Sequence, residues 1–119
     1  MDPKVKEKWI KALRSGEYEQ GTHALKTKEG DKVTYCCLGV LCEIYREENG
    51  KRWGKPTNQY PTFMKEMSVL PKKVMEWAGL DTPTGEITYK NGKFTALINL
   101  NDEEGKSFKQ IANVIEKYF

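Results

Sequence analysis

The segment from Leu38 to Tyr45 constrains the fold most, because its apolar residues surround nearly the whole of the helix that their spacing predicts. The side chains concerned are Leu38, Val40, Leu41, Cys42, Ile44 and Tyr45. In a chain in which 31% of the residues are charged, such a helix belongs in the core. We predict a central buried helix that ends at Asn49 and Gly50. Gly39 in its first turn predicts that another backbone segment approaches closely there.

Amphipathic helices are predicted at both ends of the chain. Asp2 and Pro3 are typical of a helix start, and the apolar residues Val5, Trp9 and Leu13 follow at intervals of four up to Gly16. Near the other end, Ser107 and Gln110 form a capping box ahead of one apolar stripe. The stripe consists of Phe108, Ile111, Ala112, Ile115 and Phe119.

Two further segments predict β-hairpins. Residues 24–36 alternate around a three-residue loop at Gly30, which pairs Leu25 with Tyr35. Residues 86–96 contain Asn91 and Gly92, a two-residue turn signal that pairs Tyr89 with Phe94 and Ile87 with Ala96. A short helix is predicted from Pro71 to Ala78, and residues 97–100 fit either a strand or a helix.

These elements predict one α+β domain, in which small antiparallel hairpins pack on the central helix and on the two terminal helices. A length of 119 residues is ordinary for a single domain and is enough to bury a core. The formal net charge is only +3, and the basic residues are spread along the chain. This distribution disfavours nucleic acid as a partner and remains compatible with a small anionic ligand.

All three cysteines lie between Cys36 and Cys42, where the strand pattern gives way to the helix pattern. A thiolate at a helix N-terminus is stabilised, and the predicted hairpin register sets His23 opposite Cys37, or opposite Cys36 after a slip of one residue. These residues could serve a Cys/His-dependent hydrolase or transferase, with Cys37 or Cys36 as nucleophile and His23 as base. The sequence favours the other interpretation, in which the cysteines are buried core residues and the protein is not an enzyme.

The same residues argue against a metal or another cofactor. The chain has one histidine, no Cys-x-x-Cys pair and no second thiol cluster, so neither is expected. An odd number of cysteines without a leader segment indicates the reducing cytoplasm, and no apolar stretch approaches the roughly 20 residues that span a membrane.

Residues 49–61 form the longest stretch without periodicity, and loops of this length are often functional. Arg52, Trp53, Lys55 and Tyr60 combine the groups that stack on a flat base and neutralise a phosphate, so we predict a nucleotide-like ligand here. Arg14, on the basic face of the first helix, is a further candidate for anion binding. The alternative is an irregular strap that Trp53 and Tyr60 pin to the body of the protein.

Three phrases carry a resemblance that spans nearly the whole chain. They are WxxxLRSGxYxQG from Trp9 to Gly21, YCCLGVLC from Tyr35 to Cys42, and LNDxxGKSFxxIAxxIE from Leu100 to Glu116. The sequence resembles a family of small proteins encoded by tailed bacteriophages, most of which have no recorded function. The resemblance implies an origin in a phage genome and action in the cytoplasm of the infected bacterial host.

We therefore expect a phage accessory protein that sequesters a small nucleotide-like signalling ligand without chemistry, with a role against host defence as one option. By analogy with ligand traps that build sites between subunits, we also expect a homo-oligomer. A host-protein-binding inhibitor and the Cys/His enzyme are the alternatives. DNA binding through the last helix is disfavoured, because its exposed positions carry Glu116 among few cations.

Overall fold

The computed structural model describes residues 1–55 and 59–119, and within them five helices and two antiparallel hairpins form an α+β fold, as predicted. The elements are α1 (Pro3–Ser15), β1 (Lys26–Glu29), β2 (Lys32–Tyr35), α2 (Cys37–Asn49), α3 (Lys72–Ala78), β3 (Glu86–Thr88), β4 (Phe94–Ala96), α4 (Leu97–Asp102) and α5 (Phe108–Tyr118). Residues 97–100 are thus helical. The terminal helices α1 and α5 pack against each other.

Helix α2 lies at the centre of the core, which confirms the prediction from its all-round apolar pattern. Its residues 37–45 are buried, and it contacts α1, α3, α4 and β2. The close approach expected at Gly39 is present, because a Cβ atom there would overlap the carbonyl oxygen of Leu25. The helix ends at Gly50, which has the left-handed backbone conformation (φ +67°) that glycine adopts without steric cost.

The terminal helices begin with the caps that the sequence predicts. The Asp2 carboxylate accepts hydrogen bonds from the backbone nitrogens of Lys4 (2.8 Å) and Val5 (3.1 Å). In the capping box of α5, the Ser107 hydroxyl accepts from the backbone nitrogen of Gln110 (3.2 Å), and the Gln110 side chain accepts from the Ser107 nitrogen (2.9 Å). These bonds satisfy backbone donors that a helix start leaves unpaired.

The predicted register of the first hairpin is wrong by one residue. Lys26 pairs with Tyr35 and Glu29 pairs with Lys32, so the loop holds two residues instead of three. Gly30, the first loop residue, has φ +61° and closes this tighter turn. Since β1 begins only at Lys26, His23 lies outside the ladder and is not paired with either cysteine.

The predicted register of the second hairpin is also wrong by one residue, but here the loop is longer than predicted. Its loop holds three residues, because the Tyr89 nitrogen donates to the Lys93 carbonyl (2.7 Å) and Gly92 takes the left-handed conformation (φ +83°). Ile87 therefore pairs with Thr95, and Thr88 pairs with Phe94. The predicted pairs of Tyr89 with Phe94 and of Ile87 with Ala96 are not formed, and Phe94 is 78% exposed.

Asn101 of α4 is buried and uses its whole hydrogen-bonding capacity inside the core. Its Oδ1 accepts from Gln20 Nε2 (2.8 Å) and from the Cys37 nitrogen (3.2 Å). Its Nδ2 donates to the Gly21 carbonyl (2.9 Å) and to Asp102 Oδ1 (2.8 Å). Cys36, the N-cap residue of α2, makes no side-chain cap bond, so Asn101 caps α2 from another helix.

We expect Asn101→Ala to lower the free energy of unfolding by about 2–4 kcal/mol, because it leaves the buried Cys37 nitrogen and Gly21 carbonyl without this partner. Asn99→Ala is the matched control, since Asn99 lies in the same helix with its side chain exposed. Urea unfolding of both variants measures the difference. Equal stability of the two variants would show that the Asn101 network does not hold the fold together.

Candidate functional site

The three cysteines are core residues in the structure. Cys36 is 2% exposed, and Cys37 and Cys42 are 0% exposed. The Cys37 thiol donates to the Leu97 carbonyl oxygen (Sγ to O, 3.7 Å). Burial raises the pKa of the Cys36 thiol to about 12 and raises the pKa values of Cys37 and Cys42 well above their ordinary value. At neutral pH all three groups are therefore neutral thiols.

The structure does not bring His23 and the thiols together. The His23 side chain is 65% exposed, and its Nε2 lies 3.3 Å from Glu103 Oε1. Its backbone has φ +65°, a left-handed conformation that turns the chain just before β1. The arrangement that a Cys/His enzyme requires, with the base in hydrogen-bond reach of the nucleophile, is not formed here.

The five residues predicted to bind a ligand have different surroundings in the structure. Arg14 lies on α1 and donates to Asn113 Oδ1 (2.8 Å) and Glu116 Oε2 (3.2 Å) of α5. Arg52 and Lys55 are exposed, and Tyr60 is 38% exposed. Trp53 is half-buried among aromatic side chains. The predicted loop also included residues 56–58, which lie outside the described residues.

Trp53 belongs to a half-buried set of side chains that we call the Trp53 cluster. Its members are Tyr18, Lys26, Tyr35, Glu43, Arg46 and Trp53. The Trp53 indole donates to Glu43 Oε1 (2.9 Å), and Arg46 binds both oxygens of that carboxylate (2.6 and 3.0 Å). These contacts pin Trp53 to the body of the protein. The alternative interpretation of residues 49–61, an irregular strap, predicts this for Trp53.

The Trp53 cluster has shifted pKa values, which often mark functional sites. Burial lowers the pKa of Lys26 and raises the pKa of Tyr35 to about 12. Burial alone would raise the pKa of Glu43, but the hydrogen bonds from Arg46 and Trp53, together with the positive charge of Arg46, lower it. Glu43 is therefore ionised at neutral pH and holds the Trp53 ring in place.

A second surface, which we call the lysine groove, lies beside α3. It has a volume of about 630 Å³ and is lined by Lys51, Met64, Lys65, Glu66, Pro71, Lys72 and Lys73. Four lysines and one glutamate thus line the groove, and the partly buried Met64 contributes apolar surface. The arrangement is suited to an anion that also has an apolar part.

A strained turn shapes this groove. Met64 (φ +49°) and Lys65 (φ +73°) are consecutive residues in the left-handed region, which non-glycine residues seldom adopt. Two backbone bonds close the turn, from Phe63 nitrogen to Glu66 oxygen (2.8 Å) and from Glu66 nitrogen to Phe63 oxygen (2.9 Å). Such strain persists only where its surroundings enforce it, and it is frequent at functional sites.

Sequence reasoning missed the lysine groove, because its cations come from three separate parts of the chain. Lys51 follows α2, Lys65 lies in the strained turn, and Lys72 and Lys73 begin α3. Only the adjacent pair Lys72 and Lys73, directly after Pro71, gave a local signal. A lysine pair alone does not distinguish a binding site from an ordinary solvated helix surface.

A family model described as "Domain of unknown function (DUF8296)" matches residues 1–119. The chain belongs to the DUF8296 family. No curated protein and no solved structure matches the chain. Within residues 1–55 and 59–119 of this DUF8296 protein, no helix is long and apolar enough to cross a membrane. The same ranges hold no group of three or more His, Cys, Asp or Glu side chains that could bind a metal ion.

The buried thiols of this DUF8296 protein predict a pH-dependent stability. Unfolded cysteines lose their protons near pH 9, whereas folded Cys36 keeps its proton up to about pH 12. The contribution of Cys36 to the free energy of unfolding is at its maximum below pH 9. Above pH 9 it falls by roughly 1.4 kcal/mol per pH unit. Between pH 9 and 10.5 we expect the free energy of unfolding of the wild type to fall relative to that of Cys36→Ala by this amount per pH unit. Urea unfolding of both proteins at each pH measures the difference.

A thiol reagent gives an independent measurement on the same residues. At pH 8 we expect slow labelling of all three cysteines in the folded protein and fast labelling in urea, because the folded thiols are buried. A rapidly labelled thiol in the folded state would contradict this result and return Cys36 or Cys37 to consideration as a nucleophile.

Proposed function

We propose that this protein binds and sequesters a small anionic, nucleotide-like ligand in the lysine groove, without chemistry. The observation that carries the proposal is the excess of four lysines over one glutamate in a single groove. Its volume of about 630 Å³ lies in the range of small-molecule sites. No covalent step is part of the proposal, since the thiols that could supply one are buried and protonated.

The chemistry of the lining favours a phosphorylated ligand. Lys51, Lys65 and Lys73 are exposed, so their flexible ammonium groups can surround a phosphate as separate point charges. Lys72 lies 3.9 Å from Glu76, an exposed pair that contributes little and leaves the ammonium available. The apolar surface of Met64 would contact a base or sugar. Arg52 and Lys55 are exposed in the segment after Lys51 and do not line the groove.

The resemblance to phage proteins supplies the biological setting of the proposal. In that setting the protein acts in the cytoplasm of an infected bacterium and lowers the free concentration of a signalling nucleotide of host defence. A ligand trap of this kind can build its site between subunits, so a homo-oligomer is part of the proposal. Native mass spectrometry of protein purified from bacteria would report the oligomer and any retained ligand together.

Titration calorimetry against cyclic dinucleotides, cyclic trinucleotides and ADP-ribose tests the proposal directly. We expect one of these ligands to bind, with an affinity that falls as salt is raised, because exposed charges are screened. The double variant Lys65→Glu and Lys73→Glu should weaken binding by about tenfold or more, since two attractive groups become repulsive.

The matched control is the double variant Lys93→Glu and Lys109→Glu, which changes the net charge equally at exposed lysines outside the groove. This variant should bind within about threefold of the wild type. If no nucleotide of the panel binds at micromolar protein, or if both double variants lose affinity equally, the lysine groove is not the site of such a ligand.

A further inference from the structure

The Trp53 cluster already holds one cation against two aromatic rings. The Lys26 ammonium nitrogen lies 5.0 Å from the centre of the Trp53 ring and 5.6 Å from the centre of the Tyr35 ring. Both distances are in the range of cation–π attraction. Tyr18 extends this wall, because its ring meets Tyr35 edge to face with centroids 5.5 Å apart.

The rings are held in place by groups other than Lys26. Glu43 Oε1 accepts from the Trp53 indole (2.9 Å), and the Trp53 ring also packs on the buried Phe63, with centroids 4.9 Å apart. The backbone of Tyr35 is paired in the hairpin, and its ring packs against Tyr18 and Trp53, with centroids 5.5 and 6.2 Å apart. The aromatic wall therefore exists before a ligand arrives, which reduces the entropic cost of binding.

The charges around the wall leave a place for one cation. Arg46 is paired with Glu43 and lies 3.8 Å from Glu47, so two carboxylates surround one guanidinium. Lys26 brings this set to neutrality. If the Lys26 side chain leaves, Glu43, Arg46 and Glu47 together carry one negative charge in excess, which favours entry of another cation, although Lys28 also acts on this position.

A primary ammonium is a poor occupant for such a wall. It is strongly hydrated, and the partial burial of Lys26 removes part of that hydration, which lowers its pKa despite the attraction of Glu43. A quaternary ammonium group holds its water less tightly and covers more of each ring. Recognition of such groups is the best-known use of aromatic cages.

We propose that Tyr18, Tyr35 and Trp53 form a binding site for a trimethylammonium group, and that Lys26 occupies this site while no ligand is bound. Only the Lys26 side chain has to move, because its backbone stays paired with Tyr35 in the hairpin. The site is distinct from the lysine groove, since none of its three rings lines that groove. The ligand class is choline or a trimethylated lysine side chain.

Calorimetry on Lys26→Ala, with choline chloride and with N-acetyl-trimethyllysine amide as separate probes, tests the proposal. Removing the resident ammonium should increase the affinity for at least one probe by about tenfold over the wild type. The matched control is Lys28→Ala, an exposed lysine of the same strand, which should bind as the wild type does. Preference between the two probes distinguishes a small metabolite from a modified peptide.

A neutral ligand of the same shape separates cation binding from apolar contact. We expect 3,3-dimethylbutan-1-ol, in which carbon replaces the charged nitrogen of choline, to bind Lys26→Ala at least about tenfold more weakly than choline does. Equal binding of the two compounds, or no binding of either trimethylammonium probe to the folded variant, would overturn the proposal. The groove variant Lys65→Glu with Lys73→Glu should bind choline normally, so this proposal and the proposed function can fail separately.

A measurement on the wild type does not depend on the folding of any variant. The ammonium nitrogen of Lys26 lies over the Tyr35 and Trp53 rings, so the NMR signals of the adjacent ε-CH₂ protons should carry ring-current shifts. Choline should move these signals toward the ordinary lysine position in a saturable manner as it displaces the side chain. Unmoved signals at a choline concentration of about 100 mM would overturn the proposal.

Discussion

The hydrogen bonds of the Asn101 carboxamide are the interaction on which the rest of the fold depends. Helix α2 is the core element, yet Cys36 gives it no side-chain cap, and Asn101 of α4 binds the Cys37 nitrogen instead. The Cys37 carbonyl in turn accepts from the buried Trp9 indole of α1 (2.9 Å). The backbone of a single residue thus joins three helices, and inside a core an unpaired polar group at this point would cost more than at the surface.

The three phrases that carry the sequence resemblance contribute residues to one hydrogen-bonded network around Cys37 and Asn101. Trp9 and Gln20 belong to the first phrase, Cys37 to the second and Asn101 to the third, and Gln20 Nε2 also donates to the Lys106 carbonyl (2.8 Å). The phrases therefore describe how the core is assembled. The lysine groove lies outside them, so the resemblance carries no information about a ligand of the groove. Of the three rings of the Trp53 cluster, Tyr18 and Tyr35 lie inside the phrases and Trp53 lies outside them.

The sequence predicted those parts of the fold that are determined by near neighbours in the chain. Capping residues located α1 and α5, and the apolar pattern located α2, because both signals act within a few residues. Hairpin register was wrong twice, because it depends on the number of loop residues: the loop at Gly30 holds two instead of three, and the loop at Gly92 holds three instead of two. The lysine groove could not be predicted, because its cations meet only through the tertiary fold.

Phe63 connects the two surfaces for which we propose binding. Its ring is fully buried between Trp53 and Tyr45, with centroids 4.9 and 6.0 Å away, and its backbone closes the strained turn that carries Met64 and Lys65. Two left-handed non-glycine residues cost about 1–3 kcal/mol each, a penalty that burial of one aromatic side chain and two backbone bonds can offset. The shape of the lysine groove thus depends on how Phe63 packs against the Trp53 cluster. A substitution that displaces the Trp53 ring would therefore also act on the residue that holds Lys65 at the groove.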